Sequence, residues 1–99
     1  MINLLLVEDN EKLRIAMKSG LNTTGEVNVC EDCDSGEKAL EICLENTPDV
    51  IIMDVQLAGE MNGIESAIAI RREFPRLPIV FYSIQDDDSY YRDFCNSGI

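Results

Sequence analysis

Ninety-nine residues make one small domain, too few for a second independent core, and 45 % hydrophobic residues suit a soluble globular chain. A net charge of −11 excludes direct nucleic-acid binding by this segment, because phosphate contacts need Lys and Arg; it suits a domain that meets cations or basic partner surfaces. The absence of histidine excludes Ser-His-Asp or Cys-His catalysis within the chain and any His-containing zinc site, so histidine chemistry must arrive on a partner.

The chain opens on an apolar run, Ile2–Val7, that reads as a buried strand. It has no basic n-region and no small-residue cleavage site, so no signal peptide is expected. The longest apolar runs (4–7, 50–53 and Ile79–Tyr82) are far too short to cross a bilayer, and a cytoplasmic location follows as the expectation. From Asn10, a plausible N-cap, the spacing changes to Leu13, Ala16, Met17 and Leu21, one apolar helix face. Residues 27–30 form a second, shorter strand. Ser35 then caps a helix whose inner face is Ala39, Leu40, Cys43 and Leu44.

Pro48 ends the next turn, and residues 50–53 make a third strand, apolar on both faces. Gly59 and Gly63 punctuate a loop before a third helix marked by Ile64, Ala67, Ile68 and Ile70. Pro75 and Pro78 bracket a short connection to a fourth strand at 79–83. Residues 86–88 start a fourth helical segment carrying Tyr90, Tyr91, Phe94 and Cys95, with Asn96-Ser97-Gly98 as its stop signal.

Cys30-Glu31-Asp32-Cys33 matches a C-x-x-C pair formally. A redox pair of this kind should open a helix, where the N-terminus activates the first thiol; this one sits at the end of a strand. No second pair completes a metal site. Cys30, Cys33, Cys43 and Cys95 are therefore expected to be buried free thiols acting as small hydrophobes.

Strands apolar on both faces, alternating with helices, indicate a parallel sheet covered on both sides. Ligands of such sheets collect beyond the carboxyl ends of the strands. Glu8 and Asp9 follow the first strand, Asp54 ends the third and Ser83 ends the fourth, so four polar groups are expected at one edge. Three carboxylates in one cleft repel each other unless a cation joins them, and Mg²⁺ suits a site of carboxylates that leaves room for water and a phosphoryl oxygen. Asp54 could attack a phosphoryl donor to form an acyl phosphate, and Ser83 could hydrogen-bond the bound group as a two-state switch.

These residues resemble a known family. Leu5-Leu6-Val7-Glu8-Asp9-Asn10, Asp34-Ser35-Gly36-Glu37-Lys38-Ala39-Leu40, Pro48-Asp49-Val50-Ile51-Ile52-Met53-Asp54, Met61-Asn62-Gly63-Ile64-Glu65 and Pro78-Ile79-Val80-Phe81-Tyr82-Ser83 are similar to the receiver domains of two-component response regulators. The resemblance implies a flavodoxin-like, doubly wound parallel sheet in strand order 2-1-3-4(-5). It implies Asp54 as phosphoacceptor, Glu8 and Asp9 as the acidic pair holding Mg²⁺ (Mn²⁺ is an alternative), and a backbone carbonyl on Gln56 as a further metal ligand. Ser83 matches the switch residue. The implied donor is the phosphohistidine of a sensor histidine kinase or phosphotransfer protein, and a second copy of the chain is a further candidate partner. Transcriptional regulation through an output domain beyond residue 99 is the expected role of the whole protein, with 1–99 as the receiver portion.

The segment 55–61 holds one residue more than the commonest form of that loop and lacks its usual proline, so altered loop geometry with retained chemistry is expected. The Lys-Pro pair and fifth strand and helix of the family do not occur before Ile99, and none of Lys12, Lys18 and Lys38 is placed to replace that lysine. The chain therefore reads as incomplete at its C-terminus. An interaction module that keeps the fold without being phosphorylated is the alternative function. An aspartyl phosphatase is disfavoured, because its second acid would fall on Gln56. Tyr90 and Tyr91 are divided between partner contact and ordinary packing.

Overall fold

The computed structural model describes residues 1–57 and 61–83. Their elements run β1 (Ile2–Val7), α1 (Glu11–Thr23), β2 (Val27–Cys33), α2 (Gly36–Glu45), β3 (Val50–Asp54), α3 (Gly63–Glu73) and β4 (Ile79–Tyr82). The strands form one parallel sheet in the order β2-β1-β3-β4, which is the flavodoxin-like order expected for the first four strands. The expected fourth helical segment with Tyr90, Tyr91, Phe94 and Cys95, and Gly59 of the loop, lie outside the described residues.

Strand alternation divides the apolar residues between two faces. Leu5 and Val7 of β1 join Ile51 and Met53 of β3, and this row packs with Ala39 and Cys43 of α2, Ala67 and Ile70 of α3, and Leu77. Leu4, Leu6 and Val29 point the other way, against Met17 and Leu21 of α1. Burial of both rows is what fixes the register, because a slip of one residue would exchange the two faces.

The helices begin where short polar side chains offer an oxygen to the first free amides. Asn10 accepts from the Leu13 N–H at 3.0 Å and Ser35 from the Lys38 N–H at 3.2 Å, as the sequence predicts. Asn62 adds a reciprocal cap: its Oδ1 accepts from Glu65 N–H at 2.9 Å while its own N–H donates to Glu65 Oε1 at 3.2 Å. An Asn62→Ala substitution should cost about 1 kcal/mol in urea unfolding. A loss below about 0.3 kcal/mol would show that α3 is held by packing alone.

Four expectations need correction. β2 continues to Cys33 rather than stopping at residue 30. Its pairing with β1 shifts between Leu4 and Leu5, leaving Cys30 as an extra residue in the ladder. Because of that extra residue, Val29 and Cys33 face opposite sides of the sheet despite an even spacing. Cys30 is consequently exposed, whereas Cys33 and Cys43 are the buried free thiols expected. Leu44 is 59 % exposed and Ala16 is exposed, so neither belongs to its helix's inner face. β4 ends at Tyr82, with Ser83 immediately after it.

Among the described residues, no helix is long and apolar enough to cross a membrane.

Candidate functional site

Strand register places the polar residues. Leu6 pairs with Ile52, and Ile52 with Val80, across β1, β3 and β4. One alternation further along each strand come Glu8, Asp54 and Tyr82. The three residues therefore lie in one row at the carboxyl edge of the sheet, and Asp9 follows directly. Carboxylate oxygens of Glu8, Asp9 and Asp54 lie within 4.8 Å of one another. That is the convergence expected of them.

Glu8 is 1 % and Asp54 6 % exposed, while Asp9 is the most open of the three. Charged groups so buried need partners. Glu8 has two: its Oε2 accepts from the Asn10 N–H at 2.9 Å and its Oε1 from the Tyr82 hydroxyl at 2.6 Å. Its backbone carbonyl accepts from Arg14 Nη1 at 2.8 Å, and the same guanidinium reaches Asp32 through Nε at 3.0 Å. Lys18 meets the other oxygen of Asp32 at 3.1 Å. α1 is thereby pinned to the carboxyl ends of β1 and β2.

Asp54 Oδ1 accepts from the Gln56 N–H at 3.0 Å. Burial pushes the Asp54 carboxyl up to about 6; the Gln56 amide acts against this, while the neighbouring charges of Glu8 and Asp9 add to it. Tyr82 is likewise pushed up, first by burial and then by its bond to Glu8.

Oxygen donors alone, crowded and mutually repelling, make a set that fits a hard divalent cation. A cluster able to coordinate such an ion is therefore present. The Gln56 amide is at the site through its bond to Asp54. Ser83 follows β4 at the same edge, one residue beyond the Asp54–Tyr82 pair. Lys18 and Lys38 are engaged with Asp32 and Asp34.

Sequence reasoning missed Tyr82 and Arg14. Tyr82 sits inside an apolar run and reads as core. Its place opposite Asp54 emerges only when the strands are aligned by their ends. Arg14 carried no signal, since its targets are a backbone carbonyl and an acid eighteen residues away.

A family model for the response regulator receiver domain matches residues 4–99. The chain is 36 % identical over 93 residues to the transcriptional regulatory protein LiaR of Bacillus subtilis, covering 92 % of this chain and 43 % of that protein. It is 33 % identical over 99 residues to the response regulator protein VraR of Staphylococcus saprophyticus, covering 99 % of this chain and 46 % of that protein. It thus spans less than half the length of these curated relatives. A DNA-binding response regulator of the LuxR family from Staphylococcus aureus shares the fold, with a TM-score of 0.90 at 24 % identity over 100 % of this chain and 82 % of that one.

Proposed function

The chain belongs to the response regulator receiver domain family, and from that premise we propose that it is a signalling switch whose phosphoacceptor is Asp54. The observation that carries this reading is the meeting of Glu8, Asp9 and Asp54 within 4.8 Å at the carboxyl edge of a parallel sheet. Glu8, Asp9, Asp54 and the Gln56 carbonyl would hold Mg²⁺, with Mn²⁺ as the alternative. Bound there, the ion draws negative charge off a transferring phosphoryl group.

The chain's own residues set up the rest. The Gln56 N–H fixes Asp54 Oδ1, which leaves the other carboxylate oxygen to attack phosphorus. The new O–P bond replaces the P–N bond of a phosphohistidine on a sensor kinase or phosphotransfer protein, with imidazole as the leaving group. Asp54 acts as acceptor rather than as a turnover catalyst. Ser83, just past β4, hydrogen-bonds the phosphoryl group and carries its presence into the chain beyond that strand. The names of the curated relatives favour transcriptional control as the output, delivered by an effector domain outside this segment; a second copy of the receiver is a candidate partner.

Incubation of the chain with acetyl phosphate and Mg²⁺ tests the reading by intact-mass spectrometry. One phosphoryl group should add to wild type, and none to Asp54→Ala or in excess EDTA. A wild-type chain that stays unmodified, or an adduct that survives in Asp54→Ala, would defeat it and favour an unphosphorylated interaction module.

A further inference from the structure

Glu8 is the most enclosed acid of the site, and its two oxygens are held from two different elements. Oε2 takes the Asn10 amide at the start of α1, and Oε1 takes the Tyr82 hydroxyl at the end of β4. The second bond spans the width of β3, because β4 pairs with β3 and β3 with β1. With 1 % exposure, the Glu8 side chain has no bulk water to replace a lost donor.

We propose that Tyr82 is a positioning residue for the cation site, acting through Glu8; this rests on the site reading above. The Asn10 amide alone leaves the carboxylate able to swing about its terminal torsion, which is broad and poorly restrained. A second donor, on a rigid ring carried by another strand, fixes the plane of the group. The Glu8 backbone is anchored separately by Arg14 at 2.8 Å, so loss of the Tyr82 hydroxyl frees the carboxylate without freeing the loop.

The consequence is ion selectivity. Mg²⁺ demands near-octahedral geometry at short distances and is disfavoured by a loose ligand, whereas Ca²⁺ accepts flexible, irregular sets. A fixed Glu8 carboxylate favours the smaller ion. Hydrogen-bond partners of metal ligands have effects of about 10- to 100-fold on affinity when removed.

Calorimetric titration of the chain with Mg²⁺ and, separately, Ca²⁺ reads this directly. Tyr82→Phe keeps the ring and removes one oxygen. It should weaken Mg²⁺ binding about 10-fold and leave Ca²⁺ binding within about twofold. In a Glu8→Gln background the same change should leave Mg²⁺ affinity where it was, as required if Tyr82 acts only through Glu8. Unchanged Mg²⁺ binding in Tyr82→Phe overturns the proposal, as does a parallel fall for both ions or an effect that persists without the Glu8 carboxylate. Failure of wild type to bind Mg²⁺ overturns the site reading itself and this proposal with it.

Discussion

Gly63→Ala should destabilise the domain by about 3 kcal/mol or more and disorganise the acidic site together with it. Gly63 opens α3 under the end of β3, where its N–H donates to the Val55 carbonyl at 3.0 Å. A Cβ there would stand 2.2 Å from the Asp54 carbonyl oxygen, 2.9 Å from Val55 Cα and 3.0 Å from the Val55 oxygen. All three are backbone atoms, so no side-chain rotation relieves the clash. The glycine is required for close approach, since its φ is not in the left-handed region. Moving α3 away would shift residues 54–56, which carry both the Asp54 carboxylate and the Gln56 amide bonded to it. Guanidinium unfolding and Mg²⁺ titration should therefore both record a loss. Gly20→Ala is the contrasting control: nothing lies within 4 Å of its added methyl, and a gain of about 0.5–1 kcal/mol is expected from helix propensity. A Gly63→Ala protein as stable as wild type would show that the β3–α3 junction yields freely.

Asp54→Asn should make the metal-free domain more stable at pH 7.5, by up to about 3 kcal/mol, and the gain should vanish near pH 4. Burial, Glu8 and Asp9 hold the folded Asp54 carboxyl at about 6, above its ordinary value of 3.8. Between those values the folded state retains a proton that the unfolded state has lost. Stability contributed by the neutral carboxyl is thus present below 3.8 and lost as pH rises through about 6. Asparagine removes the charge and keeps an oxygen for the Gln56 amide. Urea unfolding of both proteins in EDTA at several pH values measures the gap. Adding Mg²⁺ at pH 7.5 should then raise the wild-type midpoint more than that of Asp54→Asn, because the ion compensates the charge the variant lacks. Equal stabilities at pH 7.5, or a gap independent of pH, would remove the electrostatic conflict from the account.

Much of this site was legible because its parts obey period-two and strand-end rules. Glu8 and Asp54 each interrupt an apolar run at its carboxyl end, and a parallel sheet aligns those ends whatever the distance between them in sequence. The caps Asn10 and Ser35 were legible for a local reason, since each side chain bonds an amide three residues on. The end of β2 was not. An extra residue at Cys30 breaks the alternation, and nothing in residues 27–33 reveals that without the neighbouring strand. Leu44 shows a similar limit: helical spacing put it beside Cys43, but an apolar stripe broader than the groove beneath leaves its margin in solvent. Tyr82 was hidden for the opposite reason, its aromatic ring fitting an apolar strand while its hydroxyl serves an acid 74 residues away.

The two faces of the sheet are buried unequally. Eleven residues form the buried apolar cluster on the side of α2 and α3, whereas the buried apolar cluster on the side of α1 holds Leu4, Leu6 and Val29 among the described residues. Local opening is cheapest where the least apolar surface is lost, which makes α1 the element most ready to lift. Arg14 ties that helix to the carbonyl of Glu8, so each excursion tugs at the acidic loop. Any ligand that stills the loop must, by the same tie, quiet the helix, and occupancy at one end of the strands is thereby written into the breathing of a surface some distance away.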